Sequence, residues 1–219
     1  MSLKIFPSIL SADLSNLREE VKKLDLAGAD SIHIDVMDGC FVPNLTFGPP
    51  VIASIRKYTD LPFDVHLMIQ EPSRYIKEYV DAGADYITVH LESETHIVSL
   101  LDKIRNYGVK AGISIVPSTT CNDLEYIMDH IDVILIMTVN PGFSGQKFLH
   151  SQLPKIHKVK KMIGTKNIKI FVDGGINGDT VKFIRHSGVD AVISGSYIFS
   201  SSDYQSNINT LKMSLDKLG

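Results

Sequence analysis

A histidine and a carboxylate two residues apart are the first chemically loaded pair in the chain. In Ser31-Ile-His-Ile-Asp-Val-Met-Asp-Gly39, Ile32, Ile34 and Val36 alternate with His33, Asp35 and Met37, the period of two that makes a strand. Side chains at i, i+2 and i+4 share one face. Packing the aliphatic set outward against helices therefore turns His33, Asp35 and Met37 toward a barrel or cleft interior. The pattern recurs in Pro62-Phe-Asp-Val-His-Leu-Met68, where Asp64, His66 and Met68 share a face. A third apolar run, residues 168–173, ends on Asp173. A single buried His–Asp pair also describes a satisfied core hydrogen bond. Two imidazoles (His33, His66) and two carboxylates (Asp35, Asp173) converging from three strands read instead as ligands for one divalent ion per chain. Zinc, iron(II), manganese and cobalt all suit that donor set.

A repeated unit must position these side chains. Ala27-Gly-Ala-Asp30, Ala82-Gly-Ala-Asp85 and Ser187-Gly-Val-Asp190 each precede an apolar run, as does Asn106-Tyr-Gly-Val109. Each reads as a helix end, a glycine suited to the left-handed C′ position and a buried strand. Gly28 and Gly83 stand 55 residues apart and Gly83 and Gly188 stand 105 apart, close to whole multiples of one βα unit. Leu14, Leu17, Val21 and Leu24 mark the first helix, with Asp13 or Ser15 as its cap. Strand-like runs begin near residues 4, 31, 62, 86, 110, 132, 168 and 191. Eight βα units predict an α/β fold, a (β/α)8 TIM barrel, with residues 1–219 as one domain. A doubly wound sheet would place a Gly-rich turn after its first strand, and Phe6-Pro-Ser-Ile-Leu10 offers none.

Bulk properties narrow the partners. The 219 residues include 22 basic and 25 acidic ones, a formal charge of −3. That balance gives no general attraction to nucleic acid or an anionic membrane. Two cysteines, Cys40 and Cys121, imply no disulfide framework. With neither a basic-then-apolar leader nor a membrane-length apolar run, the expectation is a soluble cytoplasmic protein.

In a barrel of this kind the strand C-termini build the site. Those ends carry Ser8, the two His-and-Met faces, His90, Val116, Met137, Asp173, Gly195 and Ser196. Three glycine-rich segments follow the last three strands: Asn140-Pro-Gly-Phe-Ser-Gly-Gln146, Asp173-Gly-Gly-Ile-Asn177 and Ser194-Gly-Ser196. Glycines let backbone amides approach an anion, and a following helix adds its positive end. Opposite a metal cluster, they predict a phosphorylated ligand.

Together with Phe41-Val-Pro-Asn-Leu-Thr-Phe-Gly-Pro49, these segments resemble the ribulose-phosphate 3-epimerase family over nearly the whole chain. The resemblance implies that His33, Asp35, His66 and Asp173 hold the metal, with Asp35 and Asp173 also the acid and base. It implies substrate contacts from Ser8 and His66. Gly142, Phe143, Ser144, Gly145, Gly174, Gly175, Gly195 and Ser196 match the phosphate loops, and Met37, Met68 and Met137 match a sulfur-lined wall. The family commonly has glycine where Ser144 stands, asparagine at Val116 and a larger polar residue at Cys40. The related allulose-6-phosphate 3-epimerases share most of these motifs, and Gly174-Gly175 favours the ribulose-phosphate branch.

The chemistry agrees with the resemblance. Epimerising carbon 3 of a 2-ketose phosphate, here D-ribulose 5-phosphate to D-xylulose 5-phosphate, needs one base on each face and an electrophile on the carbonyl. Asp35 and Asp173 supply the two bases for passage through a cis-enediolate, and methionines form a wall that does not titrate. His90 reads as structural, Cys40 as a bystander, and residues 155–161 as the solvated face of the helix after strand six. A metal-dependent hydrolase would want His-x-His on the first strand, where Phe6-Pro-Ser8 stands. A non-catalytic sugar-phosphate sensor has no need of opposed carboxylates. A homo-oligomer is expected, as barrels commonly pair through outer helices.

Overall fold

Alternation settles the direction of each side chain in the computed structural model, which describes residues 3–213. The strands are β1 (Lys4–Pro7), β2 (Ile32–Met37), β3 (Phe63–Met68), β4 (Tyr86–His90), β5 (Lys110–Ile115), β6 (Val133–Met137), β7 (Lys169–Asp173) and β8 (Ala191–Ser194). All pair in parallel, in the order β1-β8-β7-β6-β5-β4-β3-β2. A single parallel bridge, Ser8 to His33, joins β1 to β2 and closes a (β/α)8 barrel at the first candidate ligand. Outward residues such as Ile32, Ile34, Val36, Val65 and Ile134 join the layer between sheet and helices. Phe6, Val133, Leu135, Phe171, Ala191 and Ile193 fill the inside of one half.

The outer layer comprises α1 (Leu17–Leu26), α2 (Pro49–Arg56), α3 (Ile76–Asp81), α4 (Ile97–Asn106), α5 (Leu153–Ile163), α6 (Val181–Ile184) and α7 (Tyr204–Met213). None is long and apolar enough to cross a membrane. Asp13 bonds the Ser15 amide at 3.0 Å, but it caps a 3₁₀ turn, Leu14–Asn16, and α1 starts only after it. Between β5 and β6 the expected helix is a 3₁₀ segment, Asn122–His130. Helix α6 has only four residues, between the reciprocal Asn177–Thr180 bonds and the turn at Gly188. Lys155 departs from the solvated face predicted for it: its ammonium donates to the Val116 and Pro117 carbonyls at 3.1 and 2.9 Å.

The repeated Gly-x-Asp phrase has a structural cause. Gly28, Gly83 and Gly188 have φ of +81°, +98° and +77°, the left-handed turn in which glycine carries no steric penalty. The aspartate that follows staples the neighbouring strand, as does Asp132, which has no such glycine before it. Asp30, Asp85, Asp132 and Asp190 accept from the amides of Ile5, Phe63, Ala111 and Ile170 at 3.0, 2.8, 3.0 and 3.0 Å. Each also faces a cation, respectively Lys212, Arg56, Lys110 and Lys169. One carboxylate precedes each even-numbered strand and anchors the odd-numbered strand before it.

Candidate active site

Strand register brings the cluster together. In the β2–β3 pair His33 stands opposite Asp64, Asp35 opposite His66 and Met37 opposite Met68; in the β6–β7 pair Met137 stands opposite Asp173. One donor atom from each of His33, Asp35, His66 and Asp173 lies within 4.8 Å of all the others. Asp35 Oδ1 is 3.1 Å from His33 Nε2 and 3.2 Å from His66 Nδ1, while Asp35 Oδ2 accepts the Ser8 hydroxyl at 2.5 Å. The Asp173 carboxylate is 3.9 Å from both ring nitrogens, beyond hydrogen-bond reach.

The outer ring nitrogens are committed elsewhere. His33 Nδ1 is 2.8 Å from Asp64 Oδ2. A carboxylate only accepts, so His33 Nδ1 carries a proton for Asp64, and the neutral ring that metal binding requires would present a bare Nε2 toward Asp35 and Asp173. His66 Nε2 is 2.8 Å from His90 Nε2. With their protons displaced, His33 Nε2 and His66 Nδ1 would face carboxylate oxygens with a cation between them. The donor set therefore fits a divalent ion, with Asp64 behind His33 as the carboxylate that orients a ligating imidazole.

The electrostatics follow. Burial disfavours a charge on His33, yet Asp35 and Asp64 outweigh it and raise its pKa well above the ordinary value. Burial also pushes Asp35 upward, but the His33 charge and the bonds from His33 and His66 hold it far below the usual carboxylate range. Asp173 is pushed up to about 7 by burial and by the negative charge of Asp35. His66 falls to about 4, chiefly through burial. Burial lowers His90 as well, against the opposing pull of Glu92. Glu92 is held at about 2, because bonds from His90, Thr119 and the Val116 amide overcome its burial.

A cleft opens above the cluster. Ser8, Asp35, Asp173 and the three methionines Met37, Met68 and Met137 form one end of it. His33 and His66 lie behind that floor with no exposed surface. At the other end stand Gly142, Phe143, Ser144, Gly145, Gly174, Gly175, Gly195 and Ser196. A Cβ on Gly174 would meet the Val139 amide nitrogen at 2.8 Å and one on Gly175 would strike that of Phe148, so the β6 and β7 loops meet backbone to backbone. Across the mouth, Asn44 Nδ2 donates to the Gly142 carbonyl at 2.7 Å.

Sequence patterning missed several of these residues. Leu10, Ser11 and Gln146 line the cleft; they come from loops, where no periodicity points to them. Asp64 shared the inward face of β3 but had no assigned partner until the register set it against His33. His90, read as structural, lies against His66.

The family model described as the ribulose-phosphate 3 epimerase family matches residues 4–199. A ribulose-phosphate 3-epimerase from Bacillus subtilis (strain 168) is 47% identical over 213 residues, 96% of this chain and 98% of that one. The Escherichia coli (strain K12) protein of the same name is 42% identical over 217 residues, 98% and 96% of the two chains. Among solved structures, 3-keto-L-gulonate-6-phosphate decarboxylase from Vibrio cholerae O1 biovar El Tor str. N16961 matches with a TM-score of 0.74 at 16% identity over 100% of both chains. That last likeness is one of fold.

Proposed function

The chain belongs to the ribulose-phosphate 3-epimerase family, and from that premise we propose how its residues divide the work on a pentose phosphate. The protein is an epimerase of that class. The observation that carries the assignment is one cleft with two carboxylates, from β2 and β7, at one end and three glycine-bearing loops at the other. Asp35 and Asp173 take and return the proton at carbon 3 from opposite faces, one ionised while the other is protonated, with roles exchanged in the reverse direction. The Ser8 hydroxyl holds Asp35 in place. Met37, Met68 and Met137 enclose the reacting carbons without competing for the proton.

His33, Asp35, His66 and Asp173 would hold the metal, which we take to be zinc, iron(II), manganese or cobalt. When bound, such an ion supplies positive charge to the substrate oxygens beside the reacting carbon. Purified protein should carry about one transition-metal ion per chain, and chelation should remove it together with activity. The loop amides at Gly142–Gly145, Gly174–Gly175 and Gly195–Ser196 receive the terminal phosphate.

Proton NMR of D-ribulose 5-phosphate with the enzyme in D₂O tests this division. Deuterium should enter at carbon 3 only as D-xylulose 5-phosphate appears. Allulose 6-phosphate should be slower in kcat/KM by about tenfold or more, and unphosphorylated D-ribulose slower still, since remote phosphate binding helps hold the reacting carbon. Equal rates with and without phosphate would overturn the anion end; a faster six-carbon substrate would move the assignment to the allulose branch. We also place the protein in the cytoplasm as a homo-oligomer. Light scattering checks the oligomeric state.

A further inference from the structure

A line of side chains leads from His66 away from the cleft. His66 Nε2 is 2.8 Å from His90 Nε2, and His90 Nδ1 is 3.3 Å from Glu92 Oε2. On its inner side His66 Nδ1 faces Asp35 Oδ1 at 3.2 Å. Three contacts thus join two carboxylates through two imidazoles, and each contact needs one proton. Two neutral imidazoles carry only two. The ring-to-ring contact is the shortest of the three, 2.8 Å against 3.2 and 3.3 Å, and holds one proton, so the contact left without one lies at an end, a lone pair set against a negative oxygen.

The two ends of this line differ in what can fill the gap. At the outer end Glu92 is fixed, its Oε1 accepting the Val116 amide at 3.0 Å, and Lys155 ties down the Val116 and Pro117 carbonyls. The His90 ring is fully buried between His66 and Phe41, with centroids 4.9 and 4.7 Å away, and cannot turn from Glu92. Only the inner end gathers Asp35, Asp173 and a second imidazole within 4.8 Å of His66. A dication there replaces the missing proton.

We propose that Glu92 and His90 are positioning residues for His66. Glu92 keeps the proton on His90 Nδ1, His90 Nε2 accepts from His66 Nε2, and His66 Nδ1 is left bare toward the metal. This assignment rests on the cluster holding a metal, as proposed above.

Cobalt(II) titration of the full chain, monitored by its visible absorption and by competition with a chelator, tests the assignment without relying on turnover. His90→Phe keeps the stacked ring but removes both nitrogens, and should weaken Co(II) binding by about tenfold or more. His90→Gln restores an acceptor near the Nε2 position and should recover affinity to within about threefold of the native value. Glu92→Gln offers one acceptor oxygen to two donors, and should weaken binding by about threefold or more. Melting of each metal-free variant establishes that it is folded; if His90→Phe is not, Glu92→Gln decides by the same titration. A folded His90→Phe protein binding Co(II) as tightly as the native one overturns the proposal, as does His90→Gln binding no better than His90→Phe, or an unchanged Glu92→Gln. Native protein that binds no Co(II) would overturn the metal site itself, and this proposal with it.

Discussion

At the N-terminal end of the barrel, Asp30, Asp85, Asp132 and Asp190 each accept a backbone amide from the preceding strand. At the C-terminal end, Asp35 faces a hydroxyl and two imidazoles, Asp64 one imidazole, and Asp173 has both imidazoles beyond hydrogen-bond reach. The residue type is the same, although only Asp35, Asp64 and Asp173 lie within strands. The partners differ. An amide is a neutral, fixed donor that a carboxamide oxygen satisfies almost as well as a carboxylate. A proton-transfer site or a cation site requires the negative charge itself. Carboxylates at the lower end therefore fasten strands, and those at the upper end are the ones we propose for proton transfer and metal binding.

Substituting asparagine at both ends is the sharpest way to break this contrast. Asp35→Asn and Asp173→Asn should each lower turnover by at least ~10²-fold, the usual worth of a positioned acid or base. Metal content is measured alongside, since both residues are also proposed ligands. Asp173→Asn gives up no protein hydrogen bond, so its melting temperature should not fall. Near-normal turnover with normal metal content would remove the substituted residue from the proposed pair of bases.

The next effect is on affinity. Asp64→Asn can leave His33 unoriented or hold it in the wrong tautomer, and should weaken metal binding by about 10- to 100-fold. Isothermal titration of metal-free protein reads this; an unchanged dissociation constant would reduce Asp64 to core filler. At the lower end the expected loss is in folding. Asp132→Ala removes the acceptor for the Ala111 amide and should cost about 1.5–3 kcal/mol in urea unfolding, the range for a hydrogen bond to a charged group. Asp132→Asn keeps an acceptor and should cost less than about 0.5 kcal/mol. Both should retain full metal content. If the two Asp132 variants lose equal stability, the ion pair with Lys110 outweighs the staple.

Legibility in the sequence followed charge. Where inward positions are ionisable, as in β2 and β3, alternation exposed the interior face directly, and His33, Asp35 and His66 came out as a group. In β6, Val133–Met137 is apolar at every position, so period alone could not tell Leu135, which faces the interior, from Ile134 and Ile136, which face the helices. The repeated Gly-x-Asp phrase was visible as punctuation, but its staple depends on the neighbouring strand and appears only with the register. The same limit applies to Asp64 and to His90, whose partners lie on other strands. The segment between β5 and β6 misled for a local reason: residues 116–121, Val-Pro-Ser-Thr-Thr-Cys, resist helix formation and leave only a 3₁₀ turn after them.

The backbone contact of Gly174 and Gly175 with the β6 loop has a consequence for redesign. Pockets are usually enlarged by trimming side chains, but along the Gly174–Gly175 wall the facing groups include the backbone of Val139 and Phe148, which cannot be trimmed. Anyone adapting the cleft to a longer ketose phosphate meets a rigid end-stop. Extra length has to be carved from the opposite wall, at Leu10 and Met68, or gained by relocating the entire anion cradle. The first route disturbs the surroundings of the bases, and the second requires two loops to be rebuilt together.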